Sequence, residues 1–179
     1  MNLPESKEFT EQIGANRKVS FKDEQTKVTF ETCEESTKIK IDHGIYNEKN
    51  IGLNKCDFGL YEDKSKILNL IELKGTVYEK AYEQLEGTIN KFEEDKYLTK
   101  DDRIRCFIVS PERAKTPNNL SSLKRKLAKK VHKYNRGEKD MMKNIWQVIT
   151  GASKKTTVQH ENNKILCANK EGIKLSELR

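Results

Sequence analysis

Two acidic residues and a lysine in the middle of the chain have the types and spacing that metal-assisted phosphate chemistry requires. Asp57 stands in the segment CDFG, Glu72 and Lys74 stand in the segment IELK, and fourteen residues separate the two acids. Mg²⁺ prefers hard oxygen ligands and needs only one or two carboxylates, because it usually keeps several waters. An adjacent ammonium group stabilises charge that develops on a phosphate. The pattern predicts an Mg²⁺ site at Asp57 and Glu72, with Mn²⁺ as a substitute and Lys74 in the chemical step.

The spacing predicts two short antiparallel strands whose turn, at Glu62–Ser65, brings both carboxylates to one edge of a sheet. Side chains alternate along a strand, so Glu72 and Lys74 should share one face while Leu73 points to the other. A Glu-x-Lys pair is also common on the solvated face of a strand in a chain this rich in charge. The apolar run before the pair and the helix predicted after it favour a functional site.

The remaining elements follow from changes in apolar periodicity. Helical spacing begins at Thr76 and predicts a helix to about Lys96. The segment RIRCFIVSPE is typical of a buried strand that ends at Pro111, and a leucine stripe predicts a second helix over about 118–136. We therefore expect an α/β fold in a single domain, with a central mixed β-sheet flanked by helices.

The two ends of the chain give weaker patterns. Residues 4–13 predict a short helix, and alternating apolar residues within 17–45 predict two strands paired as a hairpin with its turn at 34–36. The segment MMKNIWQVITG fits a helix and a strand about equally. Residues 155–179 are expected to form a β appendage, with a hairpin in TTVQHENNKILCA and then a polar tail.

The Asp…Glu-x-Lys pattern, followed directly by a helix, resembles the PD-(D/E)xK nuclease superfamily, whose hallmark is an Asp on one strand and Glu-x-Lys on the next. Gln84, ten residues after Lys74, stands where several branches carry a helical glutamine that faces the active site. The resemblance covers about residues 55–110 and departs from the family at Cys56, where a proline is usual. It implies a restriction-endonuclease-like αβββαβ core with Gln84 in the site.

The resemblance also implies an activity, namely Mg²⁺-dependent hydrolysis of phosphodiester bonds in DNA by an endonuclease. RNA is left open as a substrate, as is a homodimer that would reach both strands. The alternatives are an inactive nucleic-acid-binding module of the same fold and a protein-interaction domain. The family often adds an acid from an upstream helix. Glu11 is favoured for this role, and the other candidates are Glu8, Glu31, Glu34 and Glu35.

The stretch from Arg113 to Arg136 contains nine basic residues and no acidic one. Such a run can neutralise phosphates and release counterions, although a solubilising helix face is the alternative. Solubilising faces usually mix both signs of charge, so a polyanion contact is favoured. The residues predicted to contact nucleic acid are Lys124, Lys126, Lys129, Lys130 and Lys133.

Composition narrows the class of protein. The chain has 179 residues, 34% of them hydrophobic, and 35 basic residues against 28 acidic ones give a net charge of +7. Low hydrophobicity with a modest net charge favours a folded domain with a charged surface over disorder. The four cysteines and three histidines stand at no zinc-ligand spacing. The start lacks a signal-peptide pattern and no apolar run approaches the ~20 residues of a membrane span, so we expect a cytoplasmic protein without a membrane partner.

Overall fold

The computed structural model describes residues 1–3, 8–24, 26–47, 52–74, 78–111, 120–150, 158–160, 163–168 and 172–178. The helices in these ranges are α1 (Tyr78–Glu94), α2 (Leu120–His132) and two short 3-10 helices, Met141–Asn144 and Leu175–Leu178. The strands are β1 (Thr10–Ile13), β2 (Lys18–Lys22), β3 (Lys27–Glu31), β4 (Ser36–Lys40), β5 (Phe58–Glu62), β6 (Ile67–Leu73), β7 (Arg103–Pro111), β8 (Ile145–Thr150), β9 (Val158–His160), β10 (Asn163–Ala168) and β11 (Ile173–Lys174). No helix in the described ranges has the length and apolar character needed to cross a membrane.

The main sheet has eight strands in the order β1-β4-β5-β6-β7-β8-β10-β9. The pairs from β1 to β6 are antiparallel, the pairs from β6 through β7 and β8 to β10 are parallel, and β9 is antiparallel to β10. A second sheet has the order β11-β3-β2. The prediction of an α/β fold with a mixed central sheet is confirmed.

Three layers stack around the central strand β6, all seven residues of which are buried. Leu68 and Leu70 of β6 belong to the apolar cluster that includes both helices. Ile71 and Leu73 belong to the cluster that includes the three-stranded sheet. In the described part of the chain, the two α-helices therefore cover one face of the main sheet only. The small sheet covers the second face.

The helix predicted over residues 4–13 is wrong where the structure describes it. Residues 10–13 form β1, an edge strand paired with β4 through the partners Thr10↔Ile39 and Ile13↔Ser36. Residues 4–7 lie outside the described ranges. A segment this short cannot form a stable helix by itself, whereas the edge of β4 offers it backbone hydrogen-bond partners.

The predicted hairpin across residues 34–36 is also wrong, because β3 and β4 belong to different sheets. β3 pairs instead with β2, and Val19 and Phe21 lie opposite Phe30 and Val28. These four side chains form the inner face of the small sheet, which packs on the main sheet. The apolar alternation gave the strands correctly, but the partner depended on packing that a local pattern does not contain.

The central prediction is confirmed: β5 and β6 form an antiparallel hairpin, α1 follows it, and β7 ends at Pro111. The segment MMKNIWQVITG divides into a 3-10 helix and the strand β8. The second helix, predicted over 118–136, ends earlier, at His132. The predicted C-terminal hairpin is present as β9 and β10, but β10 pairs with β8 and so extends the main sheet instead of forming an appendage.

The end of the chain departs from the expected polar tail. β11 pairs in parallel with β3, and the 3-10 helix after it buries Leu175 and Leu178 between the two sheets. Two leucines spaced by three residues were the signal for this contact. The C-terminal segment therefore completes the small sheet.

Candidate active site

The β5–β6 hairpin places Asp57 opposite Glu72 at its open end, away from the turn that joins the two strands. Phe58 pairs with Ile71, so the next two facing positions along the strands are those of Asp57 and Glu72. The backbone N–H of Leu73 donates a 2.7 Å hydrogen bond to Oδ2 of Asp57, which orients that carboxylate across the strands. The structure thus brings together the two carboxylates that the sequence singled out.

Glu72 is buried, and only one of its two carboxylate oxygens has a hydrogen-bond partner among the described residues. Its side chain has 0% exposure, and Oε1 accepts a 3.2 Å hydrogen bond from Nζ of Lys74. The other oxygen, Oε2, is buried with no hydrogen-bond partner among the described residues. Burial and the nearby Asp57 carboxylate raise the pKa of Glu72 to about 8, although Lys74 and the backbone of Asp57 oppose the shift. An unpaired buried carboxylate oxygen costs free energy, because it has lost its water without gaining a partner.

Asp57 is less buried and more easily ionised. Burial raises its pKa to about 6, while the N–H of Leu73 and the charge of Lys74 lower it. Its Oδ2 is held by Leu73, and its Oδ1 has no hydrogen bond among the described residues. The site therefore offers one carboxylate oxygen from each acid, which is the kind of hard donor set that Mg²⁺ or Mn²⁺ takes. These donors fit the predicted metal.

Lys74 is anchored by two side chains from different elements. Nζ donates to Oε1 of Glu72 at 3.2 Å and to Oε1 of Gln84, on α1, at 2.7 Å. Gln84 in turn donates through Nε2 to the carbonyl oxygen of Lys55 at 2.9 Å. An ammonium group has three donors, so one remains for a ligand. Gln84 thus lies in the site, at the position that the resemblance implied.

Gly87 lets α1 approach the chain just before β5. A Cβ at Gly87 would overlap the carbonyl oxygen of Asn54, so the close approach requires glycine. At the next residue of α1, Oγ1 of Thr88 accepts a 2.8 Å hydrogen bond from the backbone N–H of Cys56. These contacts fix the segment that leads into Asp57 and carries the carbonyl group of Lys55.

Sequence analysis missed Asp42 as a neighbour of the site. The backbone N–H groups of Ile41 and Asp42 donate to the carbonyl oxygen of Asp57 at 3.0 and 3.3 Å. Oδ1 of Asp42 forms a 3.1 Å ion pair with Nζ of Lys55. The charge of Asp42 helps to raise the pKa of Asp57, as the charge of Asp23 also does. No spacing rule would have found Asp42, because backbone contacts between distant segments bring it there.

Glu11 does not join the site, contrary to expectation. It lies on β1 and forms a 3.7 Å ion pair with Lys38, and its side chain is 65% exposed. Its partner Lys38 aligns with Leu60, at the middle of β5, while Asp57 lies just before that strand. The assignment failed because it assumed a helix where the structure has an edge strand.

Lysines of α2, and Lys133 just after it, lie beside two glutamates of α1. Lys126 forms a 2.9 Å ion pair with Glu86, and Glu93 pairs with Lys130 at 3.2 Å and with Lys133 at 3.1 Å. Three of the five lysines predicted to contact nucleic acid therefore already have carboxylate partners. This arrangement weakens the case for α2 as a surface with one sign of charge.

The other two lysines of α2 differ in exposure. Lys124 is 1% exposed and lies in the buried stripe with Leu127 and Val131, so it is not on the surface that a polyanion would touch. Lys129 is exposed, and no acidic side chain among the described residues pairs with it. The prediction for Lys124 is corrected by its position on the leucine stripe.

A second acidic group lies at the opposite end of the β5–β6 hairpin. Ligand atoms of Cys33, Glu34 and Glu62 lie within 4.8 Å of one another. Glu62 accepts hydrogen bonds from Asn69 at 3.0 Å and from Arg105 at 3.4 Å, and Glu34 accepts from the turn before β6. These hydrogen bonds and the ion pair between Glu62 and Arg105 explain why the acidic side chains lie together at the turn of the hairpin.

Comparisons with protein-family models, curated proteins and solved structures find no match for this chain.

Proposed function

We propose that this protein is an Mg²⁺-dependent endonuclease that hydrolyses phosphodiester bonds in DNA. The single observation that supports this most strongly is Oε2 of Glu72, which is fully buried, has no partner among the described residues, and lies across the hairpin from Asp57. Two further observations support the proposal: Nζ of Lys74 lies 3.2 Å from Oε1 of Glu72, and the register of the hairpin sets Asp57 opposite Glu72. A cation at this point would remove the cost of the unpaired oxygen.

In this proposal, Oδ1 of Asp57 and Oε2 of Glu72 would hold the metal. When bound, Mg²⁺ would supply charge stabilisation at the phosphate and activation of a water. Leu73 keeps the Asp57 carboxylate oriented through its N–H, at 2.7 Å from Oδ2. Burial of Glu72 excludes water from one side of the site, which strengthens electrostatic contacts there.

Lys74 acts on the phosphate in the transition state. Its ammonium group is held by Glu72 and Gln84 before substrate arrives, so little reorganisation is needed when negative charge develops. Its side chain is 19% exposed, which leaves it accessible to a phosphate at the edge of the sheet. Gln84 serves as a positioning residue, because its contact is with Lys74.

The inactive-module alternative explains the buried acid less well. Without a metal, Glu72 adds the cost of a buried carboxylate, and an apolar residue of similar size at that place would often be neutral or stabilising. Gln84 would likewise have no reason to hold an ammonium group beside that acid. The arrangement of the three side chains therefore supports catalysis over binding alone.

The experiment is cleavage of supercoiled plasmid DNA by the full chain with Mg²⁺, and again with excess EDTA. The matched control for an Asp57→Asn variant is Asp101→Asn, which changes an exposed acid outside the site. Nicking that needs Mg²⁺, disappears in Asp57→Asn and persists in Asp101→Asn supports the proposal. Nicking that persists in EDTA, or equally in both variants, refutes it, and selective cleavage of RNA would correct the substrate.

A further inference from the structure

The small sheet turns a lysine-rich face away from the main sheet. Along β2 and β3, Val19, Phe21, Val28 and Phe30 point inward into the apolar cluster. The alternate positions point outward, and the exposed lysines among them and on β11 are Lys18, Lys22, Lys27 and Lys174. We call these four residues the lysine face.

The charges of the lysine face are poorly compensated. Lys22 and Lys27 are directly opposed across the β2–β3 pair, and like charges at such positions destabilise a hairpin. None of the four lysines forms an ion pair among the described residues, and the acid aligned with Lys18 and Lys174 is the half-buried Glu31. Lys126 and Lys130 of α2 and Lys133 just after it differ, because each has a glutamate within 3.2 Å.

One end of the lysine face lies at the same end of β5 as the candidate active site, on the side of the main sheet opposite the α-helices. The ring of Phe21, next to Lys22 in sequence, lies 5.3 Å from the ring of Phe58, next to Asp57. The turn between β2 and β3 begins with Asp23, which is close enough to Asp57 to contribute to its raised pKa. Lys22 and Lys27 flank this turn, so they are the lysines of the small sheet nearest the site.

The length of the lysine face suits a nucleic-acid backbone. Lys18 and Lys22 are four residues apart on one strand, which corresponds to about 13 Å at ~3.3 Å per residue. Phosphates along one DNA strand rise about 3.4 Å per nucleotide along the helix axis, so the face matches the axial rise of about four nucleotides. Ser20 and Thr29, between the two ends, share a 2.9 Å hydrogen bond on the exposed surface and add hydroxyl groups to it.

We propose that the lysine face contacts the phosphate backbone of the DNA duplex beside the cleavage site. This inference rests on the proposed nuclease function and adds a binding surface that lies outside the motif and outside the basic helix. Complementary charge is the reason for the partner: four unpaired ammonium groups on a sheet face match a row of phosphates. Bound phosphates would also relieve the repulsion between Lys22 and Lys27.

The test compares two double variants of the full chain, Lys22→Gln with Lys27→Gln and, as a matched control, Lys126→Gln with Lys133→Gln. Both remove two exposed lysines, but the control lysines already pair with Glu86 and Glu93. Affinity for a labelled DNA duplex is measured in EDTA, which keeps the duplex intact, over about 50 to 200 mM salt. Thermal unfolding of each variant checks that the fold is retained.

Loss of two phosphate contacts should reduce the slope of log K against log salt by about 1.8, at about 0.9 for each contact. The control pair should change the slope much less, and the Lys22/Lys27 variant should unfold at the same or a higher temperature. An unchanged slope in a folded Lys22/Lys27 variant, while wild type binds DNA, overturns this inference and leaves the nuclease proposal standing. A wild-type protein that cleaves no DNA and binds none overturns both, and equal binding of duplex RNA overturns the choice of DNA.

Discussion

Nζ of Lys74 donates a 2.7 Å hydrogen bond to Oε1 of Gln84, although Lys74 follows a strand and Gln84 lies on a helix. The same ammonium group lies 3.2 Å from Oε1 of Glu72. The lysine is therefore held on two sides before any phosphate arrives. Preorganised charge of this kind has its largest effect in the transition state, where new negative charge develops.

Replacing Lys74 should affect the chemical step more than binding. In Lys74→Ala we expect the cleavage rate to fall by about 10²–10³-fold, the scale of losing one aimed electrostatic donor, with DNA affinity near that of wild type. Lys74→Arg keeps the charge in a different shape and cannot act as a base at neutral pH. Single-turnover cleavage and equilibrium DNA binding measure the two effects separately.

The arginine variant separates charge from position. Recovery of most activity in Lys74→Arg would show that charge suffices, while an arginine variant as inactive as alanine would show that position or proton transfer matters. Normal cleavage by both variants would contradict the role of Lys74.

Gln84→Ala should lower kcat by about tenfold and leave KM nearly unchanged, because Lys74 would lose one of its two anchors without losing its charge. Gln84→Glu keeps an acceptor for Lys74 and should retain more activity. The matched control is Glu83→Ala, an exposed change on the same helix. Equal rates in Gln84→Ala and Glu83→Ala would rule out positioning by Gln84.

The raised pKa of Glu72 predicts how the metal-free protein responds to pH. This carboxyl has its pKa shifted from 4.5 to about 8 by burial and by Asp57, so the folded state binds more protons than the unfolded state between those values. Its stabilising contribution is complete below about pH 4.5 and is lost as the pH rises through about 8. Thermal unfolding in EDTA should show Tm falling over this window, and Glu72→Gln should flatten the fall.

Metal binding should show the opposite pH trend, because both acids must release protons to bind a cation. Affinity for Mn²⁺ should rise with pH by up to about tenfold per unit below the pKa of Glu72, for each proton released. Calorimetry in buffers of different ionisation enthalpy measures that proton release. Affinity independent of pH from about 6 to 8 would contradict the assignment of Glu72 as a ligand.

Gly87→Ala tests how α1 supports the site, and the sign of its effect is diagnostic. At an exposed place within a helix this change usually stabilises by about 1 kcal/mol. Here the added Cβ would meet the carbonyl oxygen of Asn54, so we expect destabilisation of about 1–3 kcal/mol and reduced cleavage. Chemical denaturation measures the change, and a stabilised variant would contradict the close approach.

The sequence predicted the elements whose pattern is local. Strand alternation and helical spacing located β5, β6 and α1, and with them the positions of Asp57, Glu72 and Lys74. These elements are adjacent in the chain and in space, so local periodicity contains most of the information about them. Gln84 lay on the predicted helix and needed only the resemblance to be noticed.

Features that depend on contacts between distant segments were not predicted from the sequence. Asp42 reaches the site through backbone hydrogen bonds to Asp57, fifteen positions away, and no side-chain pattern encodes them. The charge run on α2 was visible, but its partners Glu86 and Glu93 lie on another helix. β3 likewise pairs with β2 because this pairing buries the inner face of a second sheet against the main sheet.

The most direct test of the account is the anomalous diffraction of a crystal of this protein soaked with Mn²⁺. The account predicts a manganese peak within coordination distance of Oδ1 of Asp57 and Oε2 of Glu72, next to Lys74. Loss of that peak in Asp57→Asn crystals would confirm the ligand. A peak at Cys33, Glu34 and Glu62 instead, or none near Glu72, would contradict the metal site on which the proposed nuclease activity depends.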